Sequence, residues 1–434
     1  MHISTHLDVD LVAIDESDQV TCLLELTAPV DVQAAARPGR TLVLVLDRSG
    51  SMSGEPLEAA KQATAALARR LGPQDCLGVV VFDDQAEVVL PCRPMADHHP
   101  DDVARSIARI DAGGGTDISS GYLLALREAK ASLATTGQTS ATVLLVSDGE
   151  ANAGITEPDR IHDLARTATS SQIVTSSLGF GLGYDEVLLE ALSRGGNGTH
   201  GFAPDIDTCV GALQQTVSDL LDVSVMATTV RIRPTAGLVD HISVHPDLPT
   251  WRDPDSLVLS VGDLFAGEQR RILIQVGVPG IPALGTCTVA EIEVQFTGVA
   301  DLMDHRVVLP LTVNVVPGDQ AAGRVPNPIV EVERLLVDVD EAKRQAAQSL
   351  REHDVDSAKQ SLGTAMSQVA GMRREMSDAP RSLTGRLDEA AEELLGLADD
   401  LKHRSADYTA KSMQSTLHAV YRTRTSASTD DEEA

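Results

Sequence analysis

Apolar and polar positions alternate over the first stretch of the chain. Ile3, Leu7, Val9 and Leu11 fall on one side, and His2, His6, Asp8 and Asp10 on the other. After a polar turn around Asp15–Asp18, Val20, Cys22, Leu24 and Leu26 repeat the pattern. A period of two predicts two half-buried strands forming a hairpin. From about Gly39 the pattern changes. Leu42–Leu46, Leu77–Phe82, Val143–Val146 and Ile173–Leu178 are unbroken apolar runs, as in strands covered on both faces. A helical face of Leu57, Ala60, Ala63, Ala66, Leu67 and Leu71 follows the first run. Further helical patterns lie at Val103–Ile110, Ser119–Leu133, Arg160–Thr169, Val187–Leu192 and Val210–Leu221. Ala86–Leu90 reads as an antiparallel edge strand and Thr199–Ala203 as a short last strand. Strands alternating with helices at these lengths predict an α/β unit with a doubly wound, mainly parallel sheet.

Beyond about Asp222 the alternation returns. Val230 and Ile232 are interleaved with Arg231 and Arg233, and Ile272, Ile274 and Val276 follow. Ile292, Val294 and Phe296 alternate with Glu291, Glu293 and Gln295, and Val307–Val315 closes the series. These runs predict an antiparallel β-sandwich. Two strands before the α/β unit and about six after it suggest that the unit is inserted into the sandwich. Pro317–Pro328 reads as a linker. The apolar faces Leu336–Leu350, Leu362–Met372, Leu387–Leu401 and Met413–Val420, with Pro380 between the second and third, then predict a bundle of three or four helices. The expected units are strands at 1–36, the α/β domain at 37–221, the rest of the sandwich at 222–317, the helical bundle at 328–424 and a disordered acidic tail at 425–434.

Composition narrows the partners. The 434 residues carry a formal net charge of −29, which repels nucleic acid and anionic lipid. The five cysteines are scattered without a CxxC pair, which predicts neither a disulfide framework nor a structural zinc site, but free thiols in a reducing compartment. Met1–His6 has no basic segment followed by an apolar run, and the most apolar stretch, Thr41–Leu46, is far short of the roughly 20 residues that span a bilayer. The expectation is a cytoplasmic protein with no membrane insertion.

Candidate chemistry sits at strand ends. Leu42–Leu46 runs into Asp47-Arg48-Ser49-Gly50-Ser51, and Val143–Val146 into Ser147-Asp148-Gly149. In an open α/β sheet ligands collect at the carboxyl ends of strands. Between them, Ala112-Gly113-Gly114-Gly115-Thr116-Asp117 leads into a helix; its glycines permit a close-lying backbone, and Asp117 reads as the helix N-cap rather than a ligand. His98-His99 reads as a solvated helix entrance rather than a metal pair.

The three motifs Asp-x-Ser-x-Ser, Gly-Thr-Asp and Ser-Asp-Gly, in this order, resemble the metal-ion-dependent adhesion site of the von Willebrand factor A family, over about Gly39–Leu221. The resemblance implies a metal site of Asp47, Ser49, Ser51, Thr116 and Asp148. It implies that Ser49 and Ser51 bind the ion directly, that Thr116 does so once a ligand is bound, and that Asp47 and Asp148 act largely through waters. Hydroxyl and carboxylate oxygens suit Mg²⁺, with Mn²⁺ or Ca²⁺ as alternatives. Two carboxylates balance a divalent charge, so a position is left for an Asp or Glu of a protein partner. Intracellular members of the family act as adaptors, including in assemblies with AAA+ ATPases, and the expected domain order is similar to inter-alpha-trypsin-inhibitor heavy chains and to the trunk of vesicle-coat subunits. The expectation is a binding module and not an enzyme. Two alternatives stay open. One is a phosphatase-like hydrolase with Asp47 as nucleophile, although Ser49 stands where such enzymes place a second Asp. The other is a metal-free scaffold. No Gly-Lys dipeptide exists, which excludes a P-loop.

Overall fold

The N-terminal alternation forms three strands in the computed structural model of the chain, which describes residues 1–30, 39–205, 208, 211, 222–301, 303–377, 379–417 and 422–424. β1 (His2–Leu7) and β3 (Asp18–Thr27) pair antiparallel, as the period of two predicts. The segment between them is more than a turn. Its residues Leu11–Ala13 form β2, which leaves this pair and runs parallel to residues 314–316 in a different sheet. Two expected strands are therefore three. The detour is held by Asn314 donating to Asp10 O at 2.7 Å and Ile14 to Val316 O at 2.9 Å, and it buries Val12.

The α/β unit follows as β4 (Thr41–Asp47), α1 (Glu55–Arg70), β5 (Cys76–Phe82), β6 (Ala86–Pro94), α2 (Pro100–Ala108), α3 (Ile118–Thr136), β7 (Ala141–Ser147), α4 (Pro158–Thr169), β8 (Ile173–Phe180), α5 (Glu186–Gly195) and β9 (Asn197–Ala203). The sheet order is β6-β5-β4-β7-β8-β9; all pairings are parallel except that of edge strand β6. The unbroken apolar runs have a simple cause. Leu42, Leu44 and Leu46 pack with Leu57 and Leu67 of α1 and Ile107 of α2, whereas Val43 and Val45 pack with Tyr122, Ile161 and Leu188 on the opposite face. Both faces are covered, so both must be apolar. β4 and β7 are neighbours in register from Thr41–Ala141 to Leu46–Val146, which sets Asp47 beside Ser147 at one edge. The expected helix Val210–Leu221 falls, except for Gly211, outside the described residues.

Seven strands follow where about six are expected: β10 (Val223–Pro234), β11 (His241–His245), β12 (Thr250–Asp253), β13 (Ser256–Phe265), β14 (Glu268–Val278), β15 (Gly285–Gly298) and β16 (Asp304–Val316). They join the N-terminal strands in two sheets, β1-β3-β14-β11 and β12-β13-β10-β15-β16-β2. Leu24, Leu26, Ile272 and Ile274 of the first share one core with Ile232, Leu259, Ile292 and Val313 of the second. Strands from before and after the α/β unit thus lie side by side.

The expected linker is pinned rather than free. It contains a short helix, α6 (Gly318–Ala321), and Arg324 engages the Asp18 carboxylate and donates to Leu11 O at 3.1 Å. Four helices come next: α7 (Pro328–Arg351), α8 (Val355–Glu375), α9 (Arg381–His403) and α10 (Ala406–Thr416). Asn327, Asp354 and Ser405 cap three of them by accepting backbone N–H bonds. Leu336, Val339, Leu362, Val369, Leu387, Leu394 and Met413 form their common core. The helical region does not run to 424 as expected. Arg422–Arg424 form a strand, β17, on residues 268–270 of β14, where the extended chain satisfies its backbone against the sheet. The expected tail at 425–434 lies outside the described residues. No described helix is long and apolar enough to cross a membrane.

Candidate metal centre

β4 delivers Asp47 to the carboxyl edge of the sheet, and the chain then turns through a single 3₁₀ turn, Gly50–Met52, anchored by buried Met52. This turn brings the two serines back over Asp47. Ser49 N–H donates to Asp47 Oδ1 at 2.7 Å, and the Ser49 and Ser51 hydroxyls lie 3.1 Å apart. β7 supplies the other wall: Ser147 Oγ donates to Asp47 Oδ2 at 2.5 Å, and Ser51 Oγ donates to Asp148 Oδ1 at 2.7 Å.

The glycine-rich loop closes the third side. Gly113 N–H donates to Arg48 O at 2.6 Å and Gly50 N–H to Gly114 O at 3.0 Å, which lashes the loop to the Asp-x-Ser-x-Ser turn. Its glycines are needed for close approach: a Cβ on Gly113 would lie 1.9 Å from Asp83 Oδ2, and one on Gly114 2.1 Å from Asp84 Oδ2. Thr116 is held by Asn152, whose Oδ1 accepts from Thr116 N–H at 2.9 Å and whose N–H donates to Thr116 O at 3.1 Å.

Gly149 reports where the hydroxyls meet. A Cβ built there would sit 3.2 Å from Thr116 Oγ1, 3.4 Å from Ser51 Oγ and 3.7 Å from Ser49 Oγ. The three hydroxyls therefore border one small space, with Asp47 and Asp148 tied to the serines. All five residues singled out in the sequence are at this place. Asp47 is fully buried, Ser49 and Thr116 are buried, Asp148 is half-buried and Ser51 is exposed, so the space has a solvent side.

The electrostatics are unbalanced. Among the described residues no basic side chain pairs with Asp47 or Asp148; Arg48 turns to Asp83 at 3.0 Å and Glu87 at 3.3 Å. Burial pushes the Asp47 carboxyl up to about 6, against the lowering effect of its bonds to Ser147 and Ser49. Burial also raises Asp148, partly offset by the Ser51 hydroxyl. A buried and a half-buried carboxylate with no basic partner among the described residues, beside converging hydroxyls, fit a hard divalent cation as counter-charge. No group of three or more His, Cys, Asp or Glu suited to a metal occurs among the described residues, so a site of this kind rests on its hydroxyls.

Asp117 caps α3, accepting from Ser120 N–H at 2.9 Å and Ser119 Oγ at 2.7 Å. His99 caps α2, its Nδ1 accepting from Asp101 N–H at 3.3 Å. Sequence reasoning missed Asp83, Asp84 and Asn152, which shape the Thr116 loop. Asp83-Asp84 directly follow β5 at the same edge and could have been found by the strand-end rule; Asn152 carries no such signal.

Residues 42–150 match the von Willebrand factor type A domain family, and the chain carries a domain of this type. An uncharacterized protein of Synechocystis is 26% identical over 289 residues, 63% of this chain and 66% of its own length. The human inter-alpha-trypsin inhibitor heavy chain H4 is 32% identical over 164 residues, 36% of this chain and 18% of its own length. The chain thus spans under two thirds of the Synechocystis relative and under a fifth of the heavy chain. The solved structure of a von Willebrand factor type A protein from Catenulispora acidiphila superposes with a TM-score of 0.69 at 17% identity, covering 89% of this chain and 88% of that one, a likeness of fold.

Proposed function

We propose that the domain is a metal-dependent protein-binding module, in which Asp47, Ser49, Ser51, Thr116 and Asp148 hold one divalent cation of the Mg²⁺ class. The observation that carries this reading is the meeting of three hydroxyls around Gly149, beside two carboxylates that have no basic partner among the described residues. When bound, the cation supplies a Lewis-acidic position that a carboxylate can fill. The chain's two carboxylates balance its charge, and the exposed Ser51 side leaves room for an Asp or Glu of a protein partner, for example in an assembly with an AAA+ ATPase. The two antiparallel sheets are read as a sandwich into which the α/β domain is inserted, serving with the helical region as a platform. Four described cysteines are free, which suits a reducing compartment such as the cytoplasm.

Binding is favoured over hydrolysis by the state of Asp47. Both its oxygens accept hydrogen bonds and it is fully buried, so neither is presented to a phosphoryl group. The test is capture of partners from native lysate by the full chain and by Asp47→Ala, in Mg²⁺ or EDTA. Partners lost both in EDTA and with Asp47→Ala are expected; partners retained equally in all four samples would contradict the reading.

A further inference from the structure

One segment touches both the metal centre and the C-terminal helices. After β8, residues 181–185 run Gly181-Leu182-Gly183-Tyr184-Asp185 into α5. On one side this loop lies against the Ser-Asp-Gly motif. Asp185 N–H donates to Gly149 O at 3.4 Å, and a Cβ on Gly183 would be 3.2 Å from Asp148 O. On the other side it is gripped by Lys411 of α10. Lys411 Nζ donates to Tyr184 O at 2.7 Å and to Glu186 Oε2 at 2.5 Å, and lies 4.1 Å from the Tyr184 ring centroid.

This grip has no slack for rearrangement in place. Lys411 is only 4% exposed and Tyr184 only 1%. A buried ammonium needs its partners, and here they are a loop carbonyl, a carboxylate one residue past the N-cap of α5 and an aromatic face. Neighbouring contacts reinforce the seam: Tyr408 meets Phe202 of β9 edge-on at 5.5 Å, and Arg351 of α7 approaches Glu186 at 3.8 Å. The loop cannot shift away from Gly149 without disturbing Lys411, and α10 cannot lift without releasing the loop.

We infer that Lys411 is a positioning residue for the metal centre: by fixing residues 181–185 against Asp148-Gly149 it couples docking of the C-terminal helices to cation binding. The inference rests on the metal-site reading above and extends it to regulation. A partner that pulls α10 from the α/β domain would weaken cation binding, and the cation would in turn tighten the helical seam, because such coupling is reciprocal.

The test is calorimetric titration of Mn²⁺ into the full chain, its Lys411→Met and Lys411→Arg variants, and Leu362→Ala, a core truncation on α8 that lowers stability without touching the seam chemistry. Lys411→Met should weaken Mn²⁺ binding by about 10-fold, the scale of lost outer-shell support. Lys411→Arg, which keeps a cationic donor, should fall closer to wild type, and Leu362→Ala should bind as wild type while melting lower. Equal affinity in wild type and Lys411→Met, or equal weakening in Lys411→Met and Leu362→Ala, would overturn the coupling alone; a wild-type chain that takes up no Mn²⁺ would overturn the metal-site reading beneath it. Hydrogen exchange on the wild type needs no variant: Mn²⁺ should slow exchange in residues 406–416, and an unchanged rate there at saturation contradicts the coupling even if Lys411→Met fails to fold.

Discussion

The mainly parallel sheet and the two mainly antiparallel sheets hold certain carboxylates in opposite ways. In the antiparallel sheets two of them are neutralised by arginine. Glu293 is held by Arg233 at 2.5 Å and Arg306 at 2.6 Å, and Glu25 by Arg271 at 2.9 Å. In the α/β domain Asp47 and Asp148 have, among the described residues, only hydroxyls and backbone N–H groups as partners. The difference follows from direction. Parallel strands all have their carboxyl ends at one edge, so β4, β5, β7 and β8 bring Asp47, Asp83, Asp148 and the 181–185 loop together. Antiparallel strands alternate their ends, and charged groups find partners across the ladder instead.

The largest expected effect separates binding from stability at Asp47. Asp47→Asn removes the buried charge and keeps the shape; it should lower Mg²⁺ affinity by about 100-fold in calorimetry. The same variant should raise the melting temperature of the metal-free protein at neutral pH. A fall in both would place Asp47 with the neutralised carboxylates and remove the contrast.

The next effect is a pH dependence of opposite sign with and without metal. Without metal, the raised Asp47 group, at about 6 against an ordinary 3.8, binds its proton more tightly when folded. Its contribution is therefore fully present below about pH 4 and lost as pH rises through about 6, on the order of 3 kcal/mol in total. Denaturant unfolding should show this loss in EDTA, and Asp47→Asn should abolish it. With saturating Mg²⁺ the slope should reverse, since cation binding requires the carboxylate and weakens below about pH 6. Identical slopes in Mg²⁺ and EDTA would count against a cation at Asp47.

A smaller effect tests the other side of the comparison. Glu293→Gln strips charge from a carboxylate already paired with Arg233 and Arg306, so it should destabilise by about 1–3 kcal/mol and leave Mg²⁺ affinity unchanged. Denaturant unfolding and calorimetry on one sample read both. The smallest effect is at Asp117. Asn caps helices as well as Asp does, so Asp117→Asn should change stability by less than about 0.5 kcal/mol and spare cation binding. Loss of binding there would mean that Asp117 acts on the ion and not only on α3.

Much of this was legible because the relevant signals are local. The runs Leu42–Leu46 and Val143–Val146 state that their strands are covered on both faces, and a strand end fixes which edge the next residue occupies. That logic alone set Asp47 and Asp148 at one edge. What escaped depends on approaches between distant segments. Leu11–Ala13 is too short for any period to reveal that it crosses to residues 314–316. Arg422–Arg424 has no apolar pattern, since it is held by backbone pairing with β14. Gly113–Gly115 reads as a close-lying loop, but only the fold shows that the Asp83 and Asp84 carboxylates forbid a side chain there. Lys411 gives no sign in the sequence that it will close on Tyr184, 227 residues earlier.

The central claim is that one divalent cation sits where the Ser49, Ser51 and Thr116 hydroxyls meet and keeps a place for a carboxylate. Crystals grown with Mn²⁺ and acetate, measured at the manganese absorption edge, test it directly. The account predicts a single anomalous peak in the α/β domain, bordered by those three hydroxyls, with an acetate oxygen bound to the ion from the Ser51 side. No peak there at full Mn²⁺ loading, or a peak only elsewhere on the acidic surface, would contradict it.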